Sequence, residues 1–248
     1  MIKDYPLLVF VLSFGATALS AVAGDILRKR VHPRTEEGQD FGFAISATLT
    51  LLALIVGFTF SMAVSRYDLR KSCEQAEANA IGTEYTRANL LAADDAAKVR
   101  ALLKQYLNQR LLFYTTRQQS EVGTINAETA HLSDELWTAA QAGVAKIPPP
   151  VMGLVLSGVN DISNAQRSTQ GAWQNRIPRG AWILMAAIAL SCSFLSCFRA
   201  HRSDWLAFLI VPFAVSISFF LIADIDSPTR GVIRVVPQNL LDLSQSLG

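Results

Sequence analysis

The sequence predicts an all-α integral membrane protein, with four transmembrane helices and a helical bundle between the second and the third. Three observations carry that expectation: four long apolar segments, a polar middle stretch with helical periodicity, and no period-two alternation long enough for a sheet. With 51% hydrophobic residues, 17% charged residues and a mean hydropathy of +0.29, the chain of 248 residues is more apolar than an ordinary soluble domain. The net charge of +2 excludes a strongly basic nucleic-acid binder, because Lys and Arg gather at the ends of apolar segments rather than on one surface.

The chain is organised around residues 41–67, FGFAISATLTLLALIVGFTFSMAVSRY, which run without a charge until Arg66. At a rise of about 1.5 Å per residue this segment crosses a hydrocarbon core of about 30 Å. Ser46, Thr50, Gly57, Ser61 and Ser65 recur at spacings of four or seven and share one helical face, small and polar, while the other faces are lipid-compatible. A lone anchor has no use for such a stripe. A helix that lines a pore or packs closely on others does.

The first span, residues 6–23, is followed by Asp25, Arg28, Lys29 and Arg30. Lys3 and Ala21-Val22-Ala23 imitate a cleaved leader, but the apolar run is longer than a typical signal core, so a retained helix is expected, with Gly15, Ala16, Ala18 and Ala21 allowing close contact. The third span, 180–198, and the fourth, 205–223, are joined only by RAHRSD, which makes a tight hairpin. Trp182 and Trp205 sit near span ends, at headgroup level, and Pro212 is expected to kink the fourth span. No Asp, Glu, Lys or Arg lies deep within a span, which argues against a proton relay or charge-coupled transporter.

Residues 67–178 are expected to form the bundle. Leu69, Cys73, Ala76, Ala80, Ala88 and Leu91 fall on one side, so the second span continues as a long helix, with Gly82 as a bend. Asp94 or Asp95 is expected to cap a helix whose apolar stripe includes Val99, Leu103, Tyr106, Leu107 and Tyr114, with Lys98, Arg100, Lys104 and Arg110 turned outward. A third helix over 126–146 buries Leu132, Leu136, Ala139, Ala140 and Gly143 and is ended by Pro148, Pro149 and Pro150, after which a last helix runs over 151–175. The expected divisions are therefore 1–66, 67–178, 179–224 and a tail, 225–248.

Chemistry-bearing constellations are scarce. His32, His131 and His201 are scattered, Cys73, Cys192 and Cys197 lack metal spacing, and no phosphate loop or nucleophile elbow is present, so neither an enzyme nor a cofactor is expected. Glu74, Glu77 and Glu84 at helical spacing are expected on a solvated face. Asp224, Asp226 and Arg230, in ADIDSPTRG just past the fourth span, form a candidate cluster for an ion pair or a cation, the ion pair being preferred.

The run IVGFTFSMAVSRY, residues 55–67, resembles the second transmembrane helix of bestrophins, with a Gly-Phe pair followed by a small-hydroxyl-Arg-aromatic ending. The chain as a whole resembles the bacterial bestrophin-like domain family, most clearly in EANAIGTEYTRANLL, residues 77–91, and DIDSPTRGVIRV, residues 224–235. The resemblance implies a homopentameric ion channel of the plasma (inner) membrane, with the second helix of each subunit around the axis, and the lipid bilayer, identical subunits and small inorganic ions as partners. Aligned on Gly57-Phe58, the neck positions of bestrophins fall on Thr50, Leu54 and Phe58, the face already marked by the polar stripe; Ser61 joins them along the path, supported by Ser46, Gly57 and Ser65. Thr50 departs from the apolar neck pattern, which leaves Leu54 and Phe58 as the expected constriction. The acidic calcium clasp of animal bestrophins has no counterpart in Asp224 and Asp226, so calcium activation is not implied.

Arg28, Lys29, Arg30, Arg34, Arg199 and Arg202 flank the short loops, so the positive-inside rule places these in the cytoplasm and the bundle outside. The bestrophin resemblance implies the opposite. Two readings of function stand at this point, an oligomeric channel or a non-conducting membrane-anchored interaction or sensory protein whose bundle binds a partner.

Overall fold

A computed structural model describes residues 5–31, 38–199 and 205–247. Eight α-helices follow in order among them: α1 Pro6–Val31, α2 Gly38–Arg87, α3 Ala93–Thr115, α4 Gln119–Val144, α5 Pro149–Gln174, α6 Arg179–Arg199, α7 Trp205–Asp226 and α8 Gln238–Leu247, with one 3-10 turn at Ala88–Leu90. No strand occurs among the described residues. Four helical stretches, within α1, α2, α5–α6 and α7, are long and apolar enough to cross a membrane. The chain forms two compact units, one of Met1–Ser65 with Arg176–Ile233 and the other of Arg66–Asn175 with Arg234–Gly248. Residues 225–248, expected as a tail, divide between the two. His32, His201 and the basic loop residues Arg34 and Arg202 lie outside the described residues, as do the side chains of Arg199 and Trp205.

In the first unit α1 packs against both α6 and α7. Ala21 and Thr17 make the close approach, with Met185, Ala189 and Cys192 buried on α6 and Phe219 and Ile222 on α7. Ser20 Oγ donates to the Leu190 carbonyl at 2.8 Å, tying α1 to α6, and Phe10 meets Phe213 and Phe220 edge-on. Leu7, Leu19, Ile183 and Ile210 point outward, as lipid-facing residues do. The helix continues through Pro212, whose carbonyl accepts from Ser216 Oγ at 2.6 Å. Cys192 and Cys197 here, and Cys73 in the second unit, are free and buried.

The second unit has a helical core that includes Ile81, Leu103, Tyr106, Leu107, Leu136 and Ile162. The portion of α2 over 66–87 carries Arg66, Asp68, Arg70, Lys71, Glu74, Glu77, Glu84 and Arg87, a density of charge that hydrocarbon does not hold, so this part stands outside the bilayer. It runs through Gly82 without interruption, and Gly82 lies under Leu243 of α8.

Several expectations for this unit are corrected. Glu74, Glu77 and Glu84 are buried, not solvated, and Arg110 is buried, not turned outward. Leu69 and Ala76 are exposed, because the inward face of α2 runs through Arg70, Glu74, Glu77, Ile81 and Glu84. The N-cap of α3 is Ala92 and no side chain caps it; Asp94 and Asp95 lie in the first turn, where the helix dipole favours them, and Asp95 accepts from Lys146 Nζ at 2.7 Å. α4 begins at Gln119, ahead of the expected start, and ends at Val144 before the prolines. Pro148 is the N-cap of α5 and Pro149 opens it, since the first turn of a helix needs no amide donor.

Helix α8 is held by a carboxylate at its start. Glu74 accepts from Asn239 Nδ2 at 2.6 Å and from the Leu240 amide at 2.9 Å, which satisfies a free donor of the first turn and places a negative charge at the positive end of the dipole. Leu240 is fully buried beneath it. Glu74→Gln is expected to weaken this docking by about 1–2 kcal/mol, seen as faster proteolytic loss of the C-terminal helix from an otherwise folded chain.

Candidate functional site

The membrane half of α2 has two unlike faces. Leu52, Thr59 and Ala63 are buried, while Ser46, Thr50, Leu54, Gly57, Phe58, Ser61 and Ser65 are all exposed. Exposure reaches 52% at Leu54 and 65% at Phe58, so this single chain leaves its largest stripe residues without a packing partner. Nothing lies within 4 Å of where a Gly57 side chain would begin. The seven residues picked out from sequence therefore share one open face of one helix.

The chemistry of this face is neutral. Thr50 Oγ1 donates to the Ser46 carbonyl at 2.8 Å, and on the other side of the helix Thr59 Oγ1 donates to that of Ile55 at 2.8 Å. A hydroxyl satisfied in this way keeps its lone pairs outward, where water or a partly hydrated ion can meet them. Leu54 and Phe58 lie between the polar levels of Thr50 and Ser61, and their bulk is what an apolar constriction requires.

The Asp224, Asp226 and Arg230 cluster has a different geometry from an ion site. Asp224 is buried and takes two backbone amides, Val232 N on Oδ1 and Ile233 N on Oδ2, each at 2.7 Å. Asp226 Oδ1 accepts from the Ile177 amide at 3.2 Å, which ties the end of α7 to the entry of α6. Arg230 is exposed, with its guanidinium 4.2 Å above the Tyr5 ring. Among the described residues no group of three or more His, Cys, Asp or Glu is suited to a metal ion. Asp224 shapes the chain reversal after α7 by binding its amides, while Asp226 fixes the segment that enters α6.

That reversal requires Gly231. A side chain there would begin 2.2 Å from the Asp224 carbonyl and 2.9 Å from that of Ser227, both backbone atoms that cannot swing aside. Gly231→Ala is expected to destabilise the protein by about 2–3 kcal/mol, read as a lower apparent midpoint of thermal unfolding in detergent.

Sequence reasoning missed the buried charges of the bundle. Arg110 meets Glu77 through two bonds, Nε to Oε2 at 3.1 Å and Nη2 to Oε1 at 2.9 Å, and its guanidinium lies 4.3 Å from the Phe113 ring. Burial opposes the charge on Arg110, but Glu77 together with Tyr106 and Tyr114 offsets it and the guanidinium pKa is raised. Tyr114 and Trp173 complete the aromatic surround, 5.1 Å apart and edge to face. The available signal was a single base, Arg110, at a position in register with an otherwise apolar stripe.

The comparisons agree with this architecture. A model of the Bestrophin-like domain matches residues 15–240. The structure is similar to a variant of a bacterial bestrophin homologue from Klebsiella pneumoniae, with a TM-score of 0.67 at 13% identity, covering 96% of this chain and 97% of that one. It is similar in the same way to the Klebsiella pneumoniae homologue solved by zinc anomalous phasing, with a TM-score of 0.67, 14% identity and coverage of 95% and 98%. A further solved membrane protein gives 0.67 at 11% identity over 96% of this chain and 95% of its own. No curated protein matches the sequence. At such identities the structural likeness speaks to the fold, and the match over residues 15–240 speaks to descent: this chain belongs to the Bestrophin-like domain family.

Proposed function

We propose that the chain is one subunit of a ring-shaped homo-oligomer, a pentamer, that conducts small inorganic ions through a bilayer along an axial path lined by α2. Leu54 and Phe58 form the constriction, Thr50 and Ser61 are the polar levels on either side, and Ser46, Gly57 and Ser65 complete the face. The observation that carries this reading is the open α2 face, hydroxyl-bearing and charge-free, in a segment long enough to span. Lipid gains nothing from four hydroxyls in register, whereas a closed ring of copies brings them to shared water. With no charge on the path, passage is controlled by width and wetting. The membrane is the plasma (inner) membrane, and Arg28, Lys29 and Arg30 at the end of α1 favour cytoplasmic short loops with the bundle outside.

The test is the subunit count and symmetry of the complex in mild detergent, by native mass and imaging, followed by ion flux into liposomes. Ring symmetry with Thr50 at the axis, together with flux, is the expected result. A monomer or a twofold dimer removes the shared path and overturns the proposal in favour of a membrane-anchored interaction protein.

A further inference from the structure

The extramembrane part of α2 carries a carboxyl group with an unusual setting. Glu84 is fully buried, and neither of its oxygens has a hydrogen-bond partner among the described residues. It lies against α5 at Gly158, where a side chain would begin 1.7 Å from Glu84 Oε2, 2.8 Å from its Cδ and 2.9 Å from Arg87 Nη1. The missing side chain at 158 is what makes room for the carboxyl group.

Two charged groups face it, Arg87 from its own helix and Asp161 from α5. Arg87 Nη1 donates to the Leu154 carbonyl at 3.2 Å and stands 3.9 Å from Asp161 Oδ2, so its hydrogen bonding is committed to α5 and not to Glu84. An ionised carboxylate sealed in this way has lost its water without gaining a donor.

We propose that Glu84 is a protonation-operated catch between α2 and α5, closed on Gly158 as a neutral acid and opened when the ionised carboxylate draws in water. Burial raises its pKa from 4.5 to about 8, with Arg87 opposing and Asp161 reinforcing the shift. Between those two values the folded chain binds more protons than the unfolded one, so stability falls as pH rises through the window and levels off above about 8. The catch is closed at neutral pH and releases under mild alkali. It stands on the packing of the bundle alone, whatever the oligomer conducts.

The experiment compares the full-length purified protein with Glu84→Gln, which keeps the shape and removes the charge. Hydrogen exchange, corrected for its intrinsic pH dependence, is followed over residues 80–88 and 154–162 from mildly acidic to mildly alkaline buffer. Wild type is expected to lose protection there by about tenfold or more across the transition while Glu84→Gln stays level, with α4 unchanged in both. Parallel profiles in the two proteins overturn the proposal. Infrared difference spectra of wild type provide a readout that needs no variant: a carboxylic-acid band that disappears on passing about pH 8 supports the catch, and the absence of any such titrating band overturns it.

Discussion

Arg110→Met is expected to lower the apparent unfolding midpoint by on the order of 10 °C, the counterpart of about 3–5 kcal/mol in a chain of this size. The reason lies in what the substitution leaves behind. Glu77, itself buried, would lose both of the bonds that compensate its carboxylate, 2.9 and 3.1 Å long, in a pocket walled by Phe113 and Tyr114. The loss therefore exceeds the net worth of the pair, because a lone buried charge is costlier than a matched one. Removing both charges separates the two quantities: Glu77→Met with Arg110→Met is expected to regain most of the stability. Midpoints of the two single variants and the double variant, measured in one detergent, complete the cycle. If the double variant is no better than Arg110→Met, the pair is not what holds α2 to α3.

Phe58→Ala is expected to change ion flux per assembled complex by tenfold or more, with assembly preserved, since most of the residue is exposed within the chain. The residue is 65% exposed within the chain, so truncation leaves no enclosed cavity. In the proposed ring the same truncation removes several large apolar groups from one level of the path at once, widening and wetting it. Thr50→Ala, at a level already small, is expected to change flux less. The measurement is liposome flux of small cations and anions, normalised to intact oligomer. Unchanged flux through a well-assembled Phe58→Ala complex would remove this face from the path.

The spans were legible because a membrane imposes a local rule: enough apolar residues in sequence to cross it, with nothing needed from the rest of the chain. The stripe on α2 was legible for a similar reason, since Ser46, Thr50, Ser61 and Ser65 are placed by helical period alone. The bundle was less so. Whether Glu77 faces water or Arg110 depends on a partner 33 residues away, and Glu74 meets Asn239 across 165. No period within α2 carries that information, and an acid at helical spacing reads the same on either face. Pro148, Pro149 and Pro150 announce a break without saying which helix they serve. A run of proline rings disfavours a helix interior but suits a first turn, and the latter governs here. Asp224 was marked by composition as a cluster member, whereas its actual partners are the amides of Val232 and Ile233, which bear no side-chain signature.

The three buried cysteines have a practical consequence. Cys73, Cys192 and Cys197 have side chains closed to solvent, so a bulky, charged thiol reagent finds no target in the native chain. The wild type is thus its own silent background for labelling. A single cysteine introduced at Thr50, Ser61 or Ser65 becomes the one reactive thiol in the chain, and its rate of modification from either side of a vesicle reports both whether water reaches that position and the direction in which the chain is inserted.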